Sequence, residues 1–286
     1  MICSQAHIRE LIAWGLDSGV DRGSASLPPN EAIHVVAEKA RRALQMRSPM
    51  QQSCPLLQRE TKEIATLLHE QRKRADLMRE FERFDWELYV VDLHKLLAFQ
   101  RRLLFHEGRV SHAVESADWQ QLVALAFPEQ RLGDAVWSAN AAGSEIIIRS
   151  GNPDLQVKIG PPASPDTLCI PVWIDHGSPF LEVAEYNGRW FLRDGYHRAY
   201  ALLAAEIFRV PAVVIRARTL DELGAVHPWF FDEKALFSER PPQLIDFHDH
   251  NLAVSYKRPT QEKVIRISIE ESFHASTTQN TEGAEK

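Results

Sequence analysis

Apolar positions fall into two regimes along the chain. Over residues 1–84 they recur at helical spacing. Residues 6–16 form an apolar-rich segment that predicts a short helix, and residues 17–29, rich in Ser, Gly and Pro, predict a loop. Asn30 is placed to cap a helix reaching residue 46, with Ile33, Ala37, Ala40 and Leu44 on one face. Residues 47–55 interrupt the pattern. A second helix is predicted over 57–84, with Ile64, Leu67, Leu68, Met78 and Phe81 inward. Its basic triplet Arg72, Lys73, Arg74 stands beside Glu70, Asp76 and Glu80 and reads as a solvated face.

From residue 85 strand signals take over. Residues 86–91 predict a strand, after which Asp92 is placed to cap a helix carrying Leu93, Leu96, Leu97, Phe99 and Leu103. Residues 118–127 predict a helix. Residues 145–149 and 155–159 flank Ser-Gly-Asn-Pro-Asp and predict a hairpin. Strands are expected at 168–174 and 179–186, and Asn187-Gly188 turns the chain into another at 189–193. An Ala/Leu-rich helix follows, then a strand over 209–215, opened by a proline where no ladder donor is needed. Residues 220–226 predict a short helix. The aromatic cluster at 227–231 is suited to packing back, and the polar tail from 272 to disorder.

Composition narrows the function classes. With 286 residues and 44% hydrophobic side chains, a sizeable core is available. The formal net charge of −6 is not the footprint of a dedicated nucleic-acid binder, although a local basic groove stays open. Cys3, Cys54 and Cys169 are widely spaced and odd in number, which suits a reducing, cytoplasmic setting better than a disulfide framework. No apolar run approaches a membrane span, and the N-terminus has no export-signal pattern. The phosphate-loop, nucleophile-elbow and His-Glu-x-x-His patterns are also missing from the sequence.

The stretch richest in chemistry is Trp190-Phe-Leu-Arg-Asp194-Gly195-Tyr196-His197-Arg198-Ala-Tyr-Ala-Leu-Leu203. A strand runs through a glycine turn directly into a helix. The first amides of a helix point at whatever lies above them, and the helix dipole favours negative charge there. His197 and Arg198 add donors suited to phosphate. Gly195 suits a sharp turn or a close ligand approach. Asp194 is either a ligand contact or an N-cap carboxylate. His197 is either a ligand contact or a packed histidine on a carbonyl. Arg198 is either a phosphate donor or the partner of a nearby acid. Tyr196 faces either the ligand or the core, the core being the commoner place for such a ring.

Glu182 and Glu185 lie on the strand expected beside this turn. A carboxylate there could act as general base or hold a metal ion, against the plainer reading of solvent-facing strand residues alternating with Leu181, Val183 and Tyr186. Asp175 and His176 have the same two readings. Asp246-Phe-His248-Asp249-His250 has the composition of a metal cluster but lacks a second half at ligand spacing, and a polar loop is the plainer reading.

The Gly188–Leu202 segment, followed by Val210-Pro-Ala-Val-Val, resembles the ParB/sulfiredoxin superfamily, whose domains carry a strand, a Gly-x-[His/Arg]-Arg turn, a helix and a Val-Pro strand. The likeness is strong over about residues 168–216 and extends weakly to 88–97. It implies an α+β fold, a compact mixed sheet with helices, preceded here by a helical N-terminal extension. The implied division is 1–84 for that extension, 85–218 for the domain, 219–271 for a C-terminal extension packed on it, and 272–286 for the tail. It also implies a nucleotide-phosphate site at Gly195, Tyr196, His197 and Arg198, with Asp194, His197 and Glu182 as candidates for catalysis. The ligand would be an NTP with Mg²⁺, and hydrolysis or phosphoryl transfer to a small acceptor could follow.

The sulfiredoxin cysteine is replaced by Tyr196, which argues against sulfinic-acid reduction, and no helix-turn-helix pattern follows Arg218, which argues against DNA segregation. Rival readings are a DNA-binding or nuclease-like module, and a non-catalytic scaffold using its N-terminal helices as a partner surface.

Overall fold

A computed structural model describes residues 5–16, 30–51, 53–57, 61–106, 118–129, 135–151, 155–159, 172–175, 177–226 and 230–272. The predicted segment 168–171, His176, residues 227–229 and most of the polar tail lie outside them. The fold is α+β. The chain divides into two compact units, residues 1–132 with 178–260, and residues 133–177 with 261–286.

In the first unit the elements run β1 (Gln5–Leu11), α1 (Asn30–Met46), β2 (Leu56–Leu57), α2 (Lys62–Arg72), α3 (Ala75–Glu80), β3 (Trp86–Asp92), β4 (Leu97–Ala98), β5 (Arg102–His106) and α4 (Trp119–Ala126). The second unit interrupts with β6 (Val136–Ala139), β7 (Glu145–Ser150), β8 (Gln156–Ile159) and β9 (Val172–Asp175). The first resumes with β10 (Glu182–Tyr186), β11 (Arg189–Asp194), α5 (Tyr196–Ala204), β12 (Arg209–Arg216), α6 (Leu220–Leu223), α7 (Glu233–Leu236) and β13 (Ala253–Pro259), and β14 (Lys263–Ser268) returns to the second.

A six-stranded mixed sheet, ordered β2-β3-β12-β10-β11-β4, organises the first unit. β12 is its central strand, antiparallel to β3 and parallel to β10. Its residues Val210 to Ile215 are all buried, as a strand covered on both faces requires. Pro211 is tolerated because its nitrogen faces the same side as that of Val213, and the β10 ladder begins only at Val213. The Asn187-Gly188 turn joins β10 to β11 with positive φ at both residues (48° and 73°), the geometry a tight hairpin demands. In α1, Ile33, Ala37 and Ala40 are buried, matching the apolar face expected of it.

Five expectations are corrected. Residues 5–11 form a strand, not a helix, so the N-terminal region is not a purely helical extension. β1 is the middle of a second sheet, β13-β1-β5, and its backbone is hydrogen-bonded on both edges. The helix expected over 57–84 is two helices. Arg74 between them is extended (φ −66°, ψ 129°), and its guanidinium reaches the carbonyls of Phe127 and Pro128 (2.6 and 3.0 Å). The basic triplet is therefore not simply a solvated face, since Arg72 also lies over the Trp86 ring, 3.5 Å from its centroid. Asp92 caps only a 3-10 turn, Leu93–Lys95, because Leu97 and Ala98 pair with β11 instead of continuing a helix.

The last of these concerns the second unit, where β7 does not pair with β8. It lies between β6 and β14, and β8 pairs with β9. A tight turn closes the β6–β7 hairpin. There the Glu145 amide donates to Asn140 Oδ1 (3.2 Å), and Gly143 takes φ 68°.

Among the described residues no helix is long and apolar enough to cross a membrane.

The end of α1 is tied to the C-terminal part of the first unit by a buried acid. Arg47 pairs with Asp246 (2.7 Å), and Asp246 Oδ2 accepts from the Gln243 amide (2.7 Å). Burial outweighs Arg47 and lifts the Asp246 carboxyl from its ordinary 3.8 to about 6. The folded chain thus keeps a proton that the unfolded chain releases at lower pH, and stability falls as pH rises from 3.8 to about 6. Urea midpoints measured across that window should decline less steeply in Asp246→Asn than in the parent.

Candidate functional site

The turn is built by a change of period. β11 ends at Asp194, Gly195 takes the left-handed conformation (φ 89°), and α5 begins at Tyr196. Gly195 is buried, and the space a side chain would need is taken. A Cβ there would stand 3.1 Å from Arg198 Nη2 and 3.3 Å from Leu181. The Asp194 carboxylate accepts from the amide of Gly195, so it closes the turn locally.

The three residues that open α5 point in different directions. Tyr196 turns inward. It is buried, its hydroxyl accepts from the amides of Phe99 (3.0 Å) and Gln100 (3.4 Å), and burial pushes its phenol well above the ordinary range. This is the packing role of the two it could have taken.

Arg198 is half-buried, with its guanidinium among backbone carbonyls. Nη1 donates to Leu125 O (3.0 Å) and Pro179 O (2.6 Å), and Nη2 to Phe180 O (2.8 Å). Three of its five donors are committed in this way. Burial lowers its pKa, and the charges of Asp194 and Glu182 oppose that shift.

His197 is exposed. Its Nε2 lies 2.8 Å from Leu104 O. A carbonyl only accepts, so Nε2 carries the hydrogen in that contact. The ring meets Phe105 edge to face at 5.2 Å.

Glu182 does not face solvent. It is fully buried, and one oxygen pairs with Arg193. Burial raises its pKa, with Arg193 pulling the other way. Neighbours on opposite faces of β10 are both buried because the strand lies inside the sheet, between β12 and β11, and the extra residue at the register shift is Arg193 of β11. Glu185 is half-buried and accepts from the Gly188 amide at the hairpin turn (2.8 Å).

The sequence reading passed over Arg193, the charged partner of Glu182. Arg193 also donates to Glu222 O (3.0 Å) and lies over the Phe84 ring at 5.3 Å. Its place in the otherwise apolar run Trp190-Phe-Leu-Arg193 was the available signal.

The residues of 246–250 do not converge on one point. Asp246 is engaged with Arg47, and His248 stacks on Tyr200. Among the described residues no group of three or more His, Cys, Asp or Glu side chains could hold a metal ion.

The turn therefore combines an outward imidazole with a rigid, inward-braced helix start. No protein-family model, no curated protein and no solved structure matches this chain.

Gly195→Ala forces a side chain into a left-handed residue with 3.1–3.3 Å neighbours. It should lower the unfolding free energy by about 1–2 kcal/mol or more, measured by urea denaturation.

Proposed function

We propose that the Asp194–His197 turn binds a phosphate-bearing ligand, an NTP carried with Mg²⁺. The observation that supports this reading most is the placement of His197, exposed on the first turn of a nine-residue helix that opens directly from a buried left-handed glycine. A helix opening favours an anion, and the exposed His197 ring stands beside it. The resemblance to ParB/sulfiredoxin domains points the same way.

In this reading the two basic residues of the motif divide the work. His197 touches the ligand, and Arg198 fixes the backbone beneath it. Tyr196 anchors the same turn to the 99–100 backbone. Asp194 is the carboxylate of this turn that would meet a phosphate-borne Mg²⁺. The reading is primarily one of binding, since Glu182, the other catalytic candidate, is fully buried and paired with Arg193. Hydrolysis or phosphoryl transfer at such a turn would rest on positioning and charge stabilisation.

A thermal-shift panel of ATP, CTP, GTP and UTP with Mg²⁺ tests it. A ligand at a hundred times its dissociation constant should stabilise the fold by about 2.7 kcal/mol. His197→Ala should remove the shift and leave the unliganded midpoint in place. Arg198→Ala should instead lower the unliganded midpoint, through a loss of about 2 kcal/mol or more of unfolding free energy, because it strips a charged donor from three carbonyls. Equal shifts in His197→Ala and the parent would put the ligand elsewhere, and no shift with any nucleotide would refute the reading.

A further inference from the structure

A row of rings leads away from His197. His197 meets Phe105 at 5.2 Å and 86°, Phe105 meets Tyr200 at 5.2 Å and 53°, and Tyr200 stacks on His248 at 4.1 Å and 14°. Three separate segments supply it. His197 and Tyr200 are i, i+3 neighbours on α5, Phe105 belongs to β5, and His248 to the 3-10 turn Leu244–His248. The row is not core. His197 is exposed and the other three rings are half-buried, whereas Tyr196, one residue earlier on the same helix, is fully enclosed.

Basic groups border the row. Register sets His7 opposite both Phe105 and Lys257, on one face of the β13-β1-β5 sheet, and both His7 and Lys257 are exposed. Arg9, two residues on, is buried and donates to Phe247 O (2.6 Å) and Ser255 Oγ (3.1 Å), so it fixes the border from beneath. The carboxylate beside it, Asp249, accepts from the Asn251 amide and side chain (2.7 and 3.0 Å). His248 is held toward its neutral form by burial, and its Nε2 lies 3.1 Å from Tyr200 O. The surface thus joins aromatic rings to the exposed ammonium of Lys257, the kind of pairing that single nucleotides and unpaired bases select.

We propose that this row seats the planar base of the nucleotide whose phosphates meet the α5 turn. The inference rests on the phosphate reading above. His197 is shared by the two parts of the site. Stacking tolerates every base, so discrimination among the four nucleotides is expected to be modest.

The test compares inorganic tripolyphosphate with ATP and CTP, each with Mg²⁺, by titration calorimetry on the full chain. The parent should bind the nucleotides about tenfold more tightly than tripolyphosphate. Phe105→Leu and Tyr200→Leu should each erase most of that advantage while leaving tripolyphosphate affinity within about twofold. Proton spectra of the nucleotides with the parent give a readout independent of the variants' folding, and their base protons should move upfield as rings cover them. Equal affinity for nucleotide and tripolyphosphate in the parent overturns the base seat and leaves the phosphate site standing. An advantage that persists in both variants, or base protons that do not move, overturns the seat as well. Binding of neither ligand overturns both readings.

Discussion

A single guanidinium holds the candidate site in shape. Arg198 reaches back from the first turn of α5 and gathers the carbonyls of Leu125, Pro179 and Phe180. These belong to the end of α4 and to the segment leading into β10. The next residue on that segment, Leu181, donates to Ala126 O (2.9 Å) and accepts from the Val213 amide (2.9 Å), which carries the tie into β12. A helix end, a strand entry, a helix start and the central strand thus meet around one side chain. Gly195 follows from the same contact, because Arg198 Nη2 and Leu181 occupy the space where any Cβ would stand. Lysine could not replace this arginine, since a point ammonium lacks the planar fork that spans three acceptors.

The buried Glu182–Arg193 pair lies at the adjoining end of the same strands. Its desolvation is costly, and such a pair does not by itself make a fold more stable. Its importance lies in its position. It fills the site of the register shift between β10 and β11, with Phe84 against the arginine and the Glu222 carbonyl accepting from it. The acid is enclosed by the architecture that places the turn, which distinguishes its role from that of His197.

Local order was legible in the sequence wherever local rules governed it. The strand at 86–92, the α1 face, the Asp118-capped helix, the Asn187-Gly188 hairpin, and the run from β11 through α5 to β12 follow from periodicity, caps and turn residues. What failed depended on distant partners. β1 is a strand because β5 and β13 lie on either side of it, and residues 97–98 are extended because β11 offers an edge. At the site, the glycine turn and the exposure of a helix-start histidine were within reach of sequence reasoning. The inward commitment of Arg198 was not, since its acceptors are carbonyls that leave no mark on residue identity. The enclosure of Glu182 was hidden because β10 lies inside a sheet covered on both faces, where a strand has no inside-or-outside alternation to follow.

The position of β1 also constrains how the molecule is made. Gln5 pairs with Pro259 and Leu11 with Ala253, so β1 has one of its two neighbours more than 240 residues later in the chain. Its other neighbour, β5, emerges much earlier, and until β13 is made β1 offers an open edge in a nascent two-stranded ribbon. That half-built ribbon is the stage of biogenesis at which a chaperone, or a second nascent chain, would find a strand to grip.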